Sequence, residues 1–136
     1  VLQFAQENGK KLGIVNLDAH FDLRPLVDGK GHSGSPFYQL ANNYPSQFHY
    51  LALGIQRAAN PKSLFQAAEK LNTKFLVMED FRLQRWEYIE EQISWFLDQV
   101  DSLYLSVDLD GFSSAFAFRT IQSSALSRAL SVRPHR

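Results

Sequence analysis

With 136 residues, 45% of them apolar and 11 of them Phe, the chain can bury one sizeable core and is expected to form one domain. Fourteen Lys and Arg balance fourteen Asp and Glu, so no overall field draws it to nucleic acid or to an anionic membrane. The absence of cysteine excludes disulfides and thiolate metal ligation, and no apolar run reaches the roughly 18 residues of a membrane span, so a soluble, cytoplasmic protein acting on a small molecule is expected.

In chain order, residues 11–17 (KLGIVNL) form a short apolar run rich in branched side chains, which predicts a buried strand ending at Asp18. Residues 36–42 read as a helix, and residues 48–54 (FHYLALG) as a second strand. A helix is predicted over 61–71, with Asn60 as N-cap and Pro61 at the first helical position. Residues 74–78 (KFLVM) predict a third strand. From Trp86, the apolar positions Ile89, Ile93, Phe96, Leu97 and Val100 fall on one stripe at the helical period, with Glu87, Glu90, Glu91 and Asp98 on the remaining faces. Residues 102–107 (SLYLSV) are the fourth strand candidate, and Asp108 follows directly.

Strand and helix alternating three times imply a parallel sheet covered on both faces, in a three-layer α/β/α arrangement. Such sheets bind ligands at the carboxyl ends of their strands. Both acidic clusters fall there. Asp18-Ala19-His20-Phe21-Asp22 places three metal-capable side chains at alternate positions, which share a face in extended chain. Asp108-Leu109-Asp110 adds two more after the fourth strand.

Four Asp so placed repel one another and resist desolvation unless cations compensate them. Two divalent ions cancel four charges, and oxygen with imidazole suits manganese or a similar metal. Each motif alone has plainer readings: Asp-x-Asp is common in turns, and Asp-x-His-x-Asp also fits a helix cap or a hydrogen-bonded loop histidine. A magnesium phosphoryl-transfer site built on Asp108 and Asp110 is disfavoured, because no Gly-rich phosphate loop accompanies them.

Asn16-Leu17-Asp18-Ala19-His20-Phe21-Asp22 resembles the Asp-Ala-His-x-Asp signature of the ureohydrolase superfamily, the arginases and agmatinases. Ser106-Val107-Asp108-Leu109-Asp110 resembles its Ser-x-Asp-x-Asp signature, and the resemblance spans about residues 11–117. It implies an arginase-like α/β/α fold, incomplete in this chain, and two Mn²⁺ ions per complete subunit. Asp18 and Asp108 would bridge the ions, Asp22 would bind the first, and His20 and Asp110 the second. The resemblance also implies a first-metal His upstream, and none of His32, His49 or His135 stands in a matching context. Complete members of the superfamily often form homo-oligomers.

Gly111-Phe112-Ser113-Ser114, Asp22-Leu23-Arg24 and Ser33-Gly34-Ser35-Pro36-Phe37 resemble the formimidoylglutamase branch, which acts in histidine breakdown. That implies hydrolysis of N-formimidoyl-L-glutamate to L-glutamate and formamide, with agmatinase- or arginase-type chemistry as the alternative. Arg24, two residues past a metal ligand, has the guanidinium fork that pairs with a substrate carboxylate, and Arg57 is a second candidate. Asp22 would serve as the catalytic proton carrier. His32, one position before the residue that precedes Gly34, reads as a solvated loop histidine.

The chain opens at Val1 without an initiator Met, and residues 118–136 change character to a Ser- and Arg-rich stretch without acids. A fragment is therefore expected: residues 1–117 as a partial ureohydrolase domain, and 118–136 as a frameshifted or disordered tail. An amphipathic helix over 124–132 is the alternative for the tail. A non-catalytic remnant with exposed sheet edges is the alternative for the whole chain.

Overall fold

In the computed structural model, which describes residues 2–81 and 83–111, four strands and four α-helices alternate along the chain. They are α1 (Leu2–Glu7), β1 (Leu12–Leu17), α2 (Pro36–Asn43), β2 (His49–Ile55), α3 (Lys62–Lys70), β3 (Lys74–Val77), α4 (Trp86–Leu97) and β4 (Ser102–Val107). Each strand sits within a residue or two of its predicted place, because short branched-apolar runs bounded by Gly, Pro and charge leave little other choice. The short helix α1 was not anticipated. The expectation for the tail at 118–136 lies outside the described residues.

All pairings are parallel, and the sheet order is β3-β2-β1-β4. The chain steps outward from β1 to β3, then returns to the other side of β1, so the order reverses between β1 and β4. With right-handed crossovers, that reversal sends α4 to the face opposite α2 and α3.

Two clusters of buried side chains bear this out. On one face Leu12, Ile14, Tyr50 and Ala52 pack with Phe37 and Ala41 of α2 and Leu64 and Ala68 of α3. On the other, Val15, Leu51, Leu53 and Leu76 pack with Ile89 and Phe96 of α4. Three layers result, as expected for an arginase-like α/β/α fold, and the strand ends at the β1/β4 reversal form the crevice where such sheets hold ligands.

Two expectations need correction. Helix α3 begins at Lys62 with Pro61 at the cap position, and Asn60 turns its side chain toward the loop after β1 instead. Nor is the sheet covered throughout: Leu103, Tyr104, Leu105 and Val107 of β4 are each about half exposed, so β4 is an uncovered edge among the described residues.

Candidate metal centre

Both acidic clusters leave the sheet side by side. Leu17 pairs with Val107, the Asp108 N–H donates to the Leu17 carbonyl at 2.8 Å, and the two chains then run together past the strand ends. Gly111 closes the approach. A Cβ there would lie 3.0 Å from both Cα and N of Asp18, so only glycine lets the second cluster lie flat on the first.

Asp18, His20 and Asp110 come together, with ligand atoms all within 4.8 Å of one another. His20 Nδ1 stands 3.0 Å from Asp110 Oδ2 and 3.4 Å from Asp18 Oδ1. The Ala19 N–H donates to Asp110 Oδ1 at 3.3 Å, tying the clusters through the backbone as well.

Asp18 is only 3% exposed. Its Oδ1 accepts the His20 N–H at 2.7 Å, and its Oδ2 accepts from Asn16 Nδ2 at 3.1 Å. Burial raises its pKa, those two hydrogen bonds oppose the rise, and the charge of Asp110 adds to it.

Asp22 does not continue an extended chain. Its φ of +52° is left-handed, a region Asp tolerates better than most residues, and its carbonyl accepts the Phe37 and Tyr38 N–H groups at the start of α2. Asp22 is not one of the three whose ligand atoms lie within 4.8 Å of one another, but the charges of Asp18, His20, Asp108 and Asp110 all reach it. Burial first, and then the charges of Asp18, Asp108 and Asp110, push its pKa up to about 6, with His20 opposing.

Asp108 likewise stays outside the trio. Its Oδ1 accepts the Asp110 N–H at 3.1 Å, closing the turn Leu109–Gly111. Its charge still reaches Asp22.

The two candidate substrate residues differ in placement. Arg24 is exposed and its N–H donates to the Gly34 carbonyl at 2.8 Å; its side chain lies against Gly34 and has no ion pair among the described residues. Arg57 lies with its guanidinium 6.0 Å from the centroid of the Phe65 ring in α3. His32 is not a free loop histidine. Its Nδ1 accepts the Gly34 N–H at 3.2 Å and its Nε2 lies 3.1 Å from the Pro25 carbonyl, so the ring pins the loop that carries Arg24.

Sequence reasoning missed the residues that support this loop. Asn60 Nδ2 donates to the Ala19 and Gln56 carbonyls, each at 2.8 Å, and its Oδ1 accepts the Phe21 N–H at 3.1 Å. The Tyr50 hydroxyl donates to the Phe21 carbonyl at 2.9 Å and accepts from Asn16 Nδ2 at 3.2 Å. Burial pushes the Tyr50 phenol well above its ordinary value, so it stays a donor. Phe21 is fully buried edge-on between Phe65 and Phe75, each at 5.1 Å. The signal for Asn16 was present as an amide inside an apolar strand run, where a polar group must find a partner.

The donor set fits hard-to-borderline divalent cations. Among the described residues no Lys or Arg pairs with Asp18, Asp22, Asp108 or Asp110, and burial, with the neighbouring acids, raises the Asp18 and Asp22 pKa values.

Comparison with known proteins gives the same direction. The family model described as the arginase family matches residues 1–120. The chain is 41% identical over 122 residues to a formimidoylglutamase of Vibrio vulnificus (strain YJ016), covering 85% of this chain and 36% of that protein. It is 40% identical over 111 residues to a formimidoylglutamase of Legionella pneumophila (strain Lens), covering 79% and 35% respectively. Among solved structures it resembles the crystal structure of formimidoylglutamase from Bacillus subtilis subsp. subtilis str. 168, with a TM-score of 0.68 and 26% identity over 80% of this chain and 35% of that one. The chain thus spans about a third of the length of these relatives.

Proposed function

The chain belongs to the arginase family, and from that premise we propose that the complete protein is a manganese-dependent formimidoylglutamase. It hydrolyses N-formimidoyl-L-glutamate to L-glutamate and formamide, a step of histidine breakdown in the cytoplasm. The single observation that carries this reading is the meeting of Asp18, His20 and Asp110 beside Asp22 and Asp108, with no Lys or Arg among the described residues paired to any of the four carboxylates. The relatives in Vibrio and Legionella support the substrate.

Asp18, His20, Asp22, Asp108 and Asp110 are the residues that would hold two Mn²⁺ ions. Bound there, the ions would bring a water to its nucleophilic form near neutral pH and balance the site's negative charge. Asp22, whose carboxyl titrates at about 6 without metal, orients that water, takes up its proton and passes it to the departing nitrogen. A carbon–oxygen bond forms at the formimino carbon, the bond from that carbon to the glutamate nitrogen breaks, and the proton leaves on the amine.

Arg24 is positioned for substrate selection. It sits on the loop held by Gly34 and His32 with no ion pair among the described residues, and a glutamate carboxylate meets it in a two-pronged hydrogen bond that agmatine cannot make. Arg57 is the second candidate, reaching a carboxylate only by leaving Phe65.

Asp108→Ala tests the reading. In the complete protein this variant is expected to lose turnover by several orders of magnitude and to retain less than the two manganese ions of the parent, counted by elemental analysis. Full metal content together with full rate would overturn the assignment.

A further inference from the structure

Asp18 and Asp22 lie on a loop whose backbone is free of regular pairing, yet both are tied to one buried hydroxyl. Tyr50 projects from near the start of β2, is 2% exposed and is held by its ring between Phe37 at 4.7 Å and Phe48 at 5.6 Å. Its hydroxyl proton goes to the Phe21 carbonyl, the peptide unit that leads directly into Asp22. Its oxygen accepts one amide hydrogen of Asn16, and the same Asn16 nitrogen donates to Asp18 Oδ2. Two carboxylates four residues apart are thus joined through Tyr50 and Asn16, neither of which is an expected ligand.

We propose that Asn16 and Tyr50 form a buried positioning relay for the metal centre, in which Tyr50 fixes the rotation of the Asp18 carboxylate through Asn16 and the placement of Asp22 through the Phe21 carbonyl. The inference rests on the metal-binding reading above. With Oδ2 engaged by Asn16 and Oδ1 by the His20 N–H, the plane of the Asp18 carboxylate is set before any ion arrives, and its remaining lone pairs point into the site. Asn is suited to this task because one nitrogen serves two acceptors at once. An Asp at position 16 would set a second acid against Asp18 and remove both donors.

Groups that hydrogen-bond a metal ligand from behind tune affinity strongly, with losses of roughly 10–100-fold on removal. Tyr50→Phe keeps the ring packing and removes only the hydroxyl, so it is the variant of choice; Asn16→Leu removes the middle of the relay. Manganese dissociation constants are measured calorimetrically for the complete protein and for Tyr50→Phe, Asn16→Leu and the double variant, with thermal midpoints of the metal-free forms recorded alongside. The relay predicts about a tenfold weakening of at least one ion in Tyr50→Phe, a larger weakening in Asn16→Leu, and a double variant that falls short of the product of the two. Lower metal-free midpoints with unchanged manganese affinity would show that the hydroxyl only stabilises the fold, and would overturn the relay while leaving the metal reading intact. A parent protein that binds no manganese overturns both.

Discussion

At Asp22 two demands meet. In the proposed reaction the residue carries charge as ligand and proton carrier, and it does so half-buried among other acids. Its folded value of about 6 stands above the ordinary 3.8, so the folded metal-free protein holds this proton more tightly than the unfolded chain does. Unfolding is therefore favoured progressively as pH rises from about 4 to about 6, and the loss is complete above that window. Asp22→Asn does not titrate, and Asn accepts the left-handed backbone found here. In the presence of a chelator, the variant is expected to be more stable than the parent above pH 6 and equal to it near pH 4, measured by urea midpoints. A stability difference that does not change with pH would contradict the burial of this charge.

The residue scale also shows how far sequence could reach. Asp18, His20 and Asp110 were legible because acids directly after an apolar strand have few explanations, and the fold brings the three together. The left-handed backbone at Asp22 was not, since it goes with the Phe37 and Tyr38 N–H groups donating to the Asp22 carbonyl across the loop. Asn60 looked like a helix cap from its neighbours in sequence. Its partners, Ala19 and Phe21, are about forty positions away.

Among the elements, the parallel pairing of β1 and β4 sets the spacing of the two clusters. Leu17 lies opposite Val107, and Gly111 then presses its backbone onto Asp18. Gly111→Ala would drive a methyl carbon to 3.0 Å from main-chain atoms that are anchored by the sheet. The turn Leu109–Gly111 has to move outward, carrying Asp110 from His20. The expected result is a stability loss of about 1–3 kcal/mol and manganese binding at least about tenfold weaker, read from a denaturant midpoint and a calorimetric titration. Binding equal to the parent would mean that the close approach does not set the site.

Strands and helices were readable at this scale because period and punctuation agree in each. The alternation of charge with Ile89, Ile93 and Phe96 put α4 on the sheet before any coordinates did. Strand order was not readable. It depends on which edge β4 chooses after α4, and nothing local to residues 102–107 encodes that choice.

Across the whole molecule, the site belongs to a frame that the chain fills only in part. The described residues supply a three-layer core, a crevice at the reversal of strand order, and a β4 edge whose Leu103, Leu105 and Val107 remain about half exposed. The expectation of a sheet covered on both faces failed there because the alternation of elements predicts which faces need cover, not which elements supply it. No helix among the described residues is long and apolar enough to cross a membrane. The arginase-family assignment rested on two short motifs separated by some ninety residues, and a match over residues 1–120 carries it further than the motifs do.

Formamide release reports on the proposed substrate. The complete protein, stripped of metal and titrated with Mn²⁺, is presented with N-formimidoyl-L-glutamate, and formamide and glutamate are quantified together. A formimidoylglutamase gives equal amounts of both products, a rate that follows manganese and falls to background with chelator, and negligible urea from arginine or agmatine. Metal-independent release, or faster cleavage of agmatine or arginine, would contradict the proposed function.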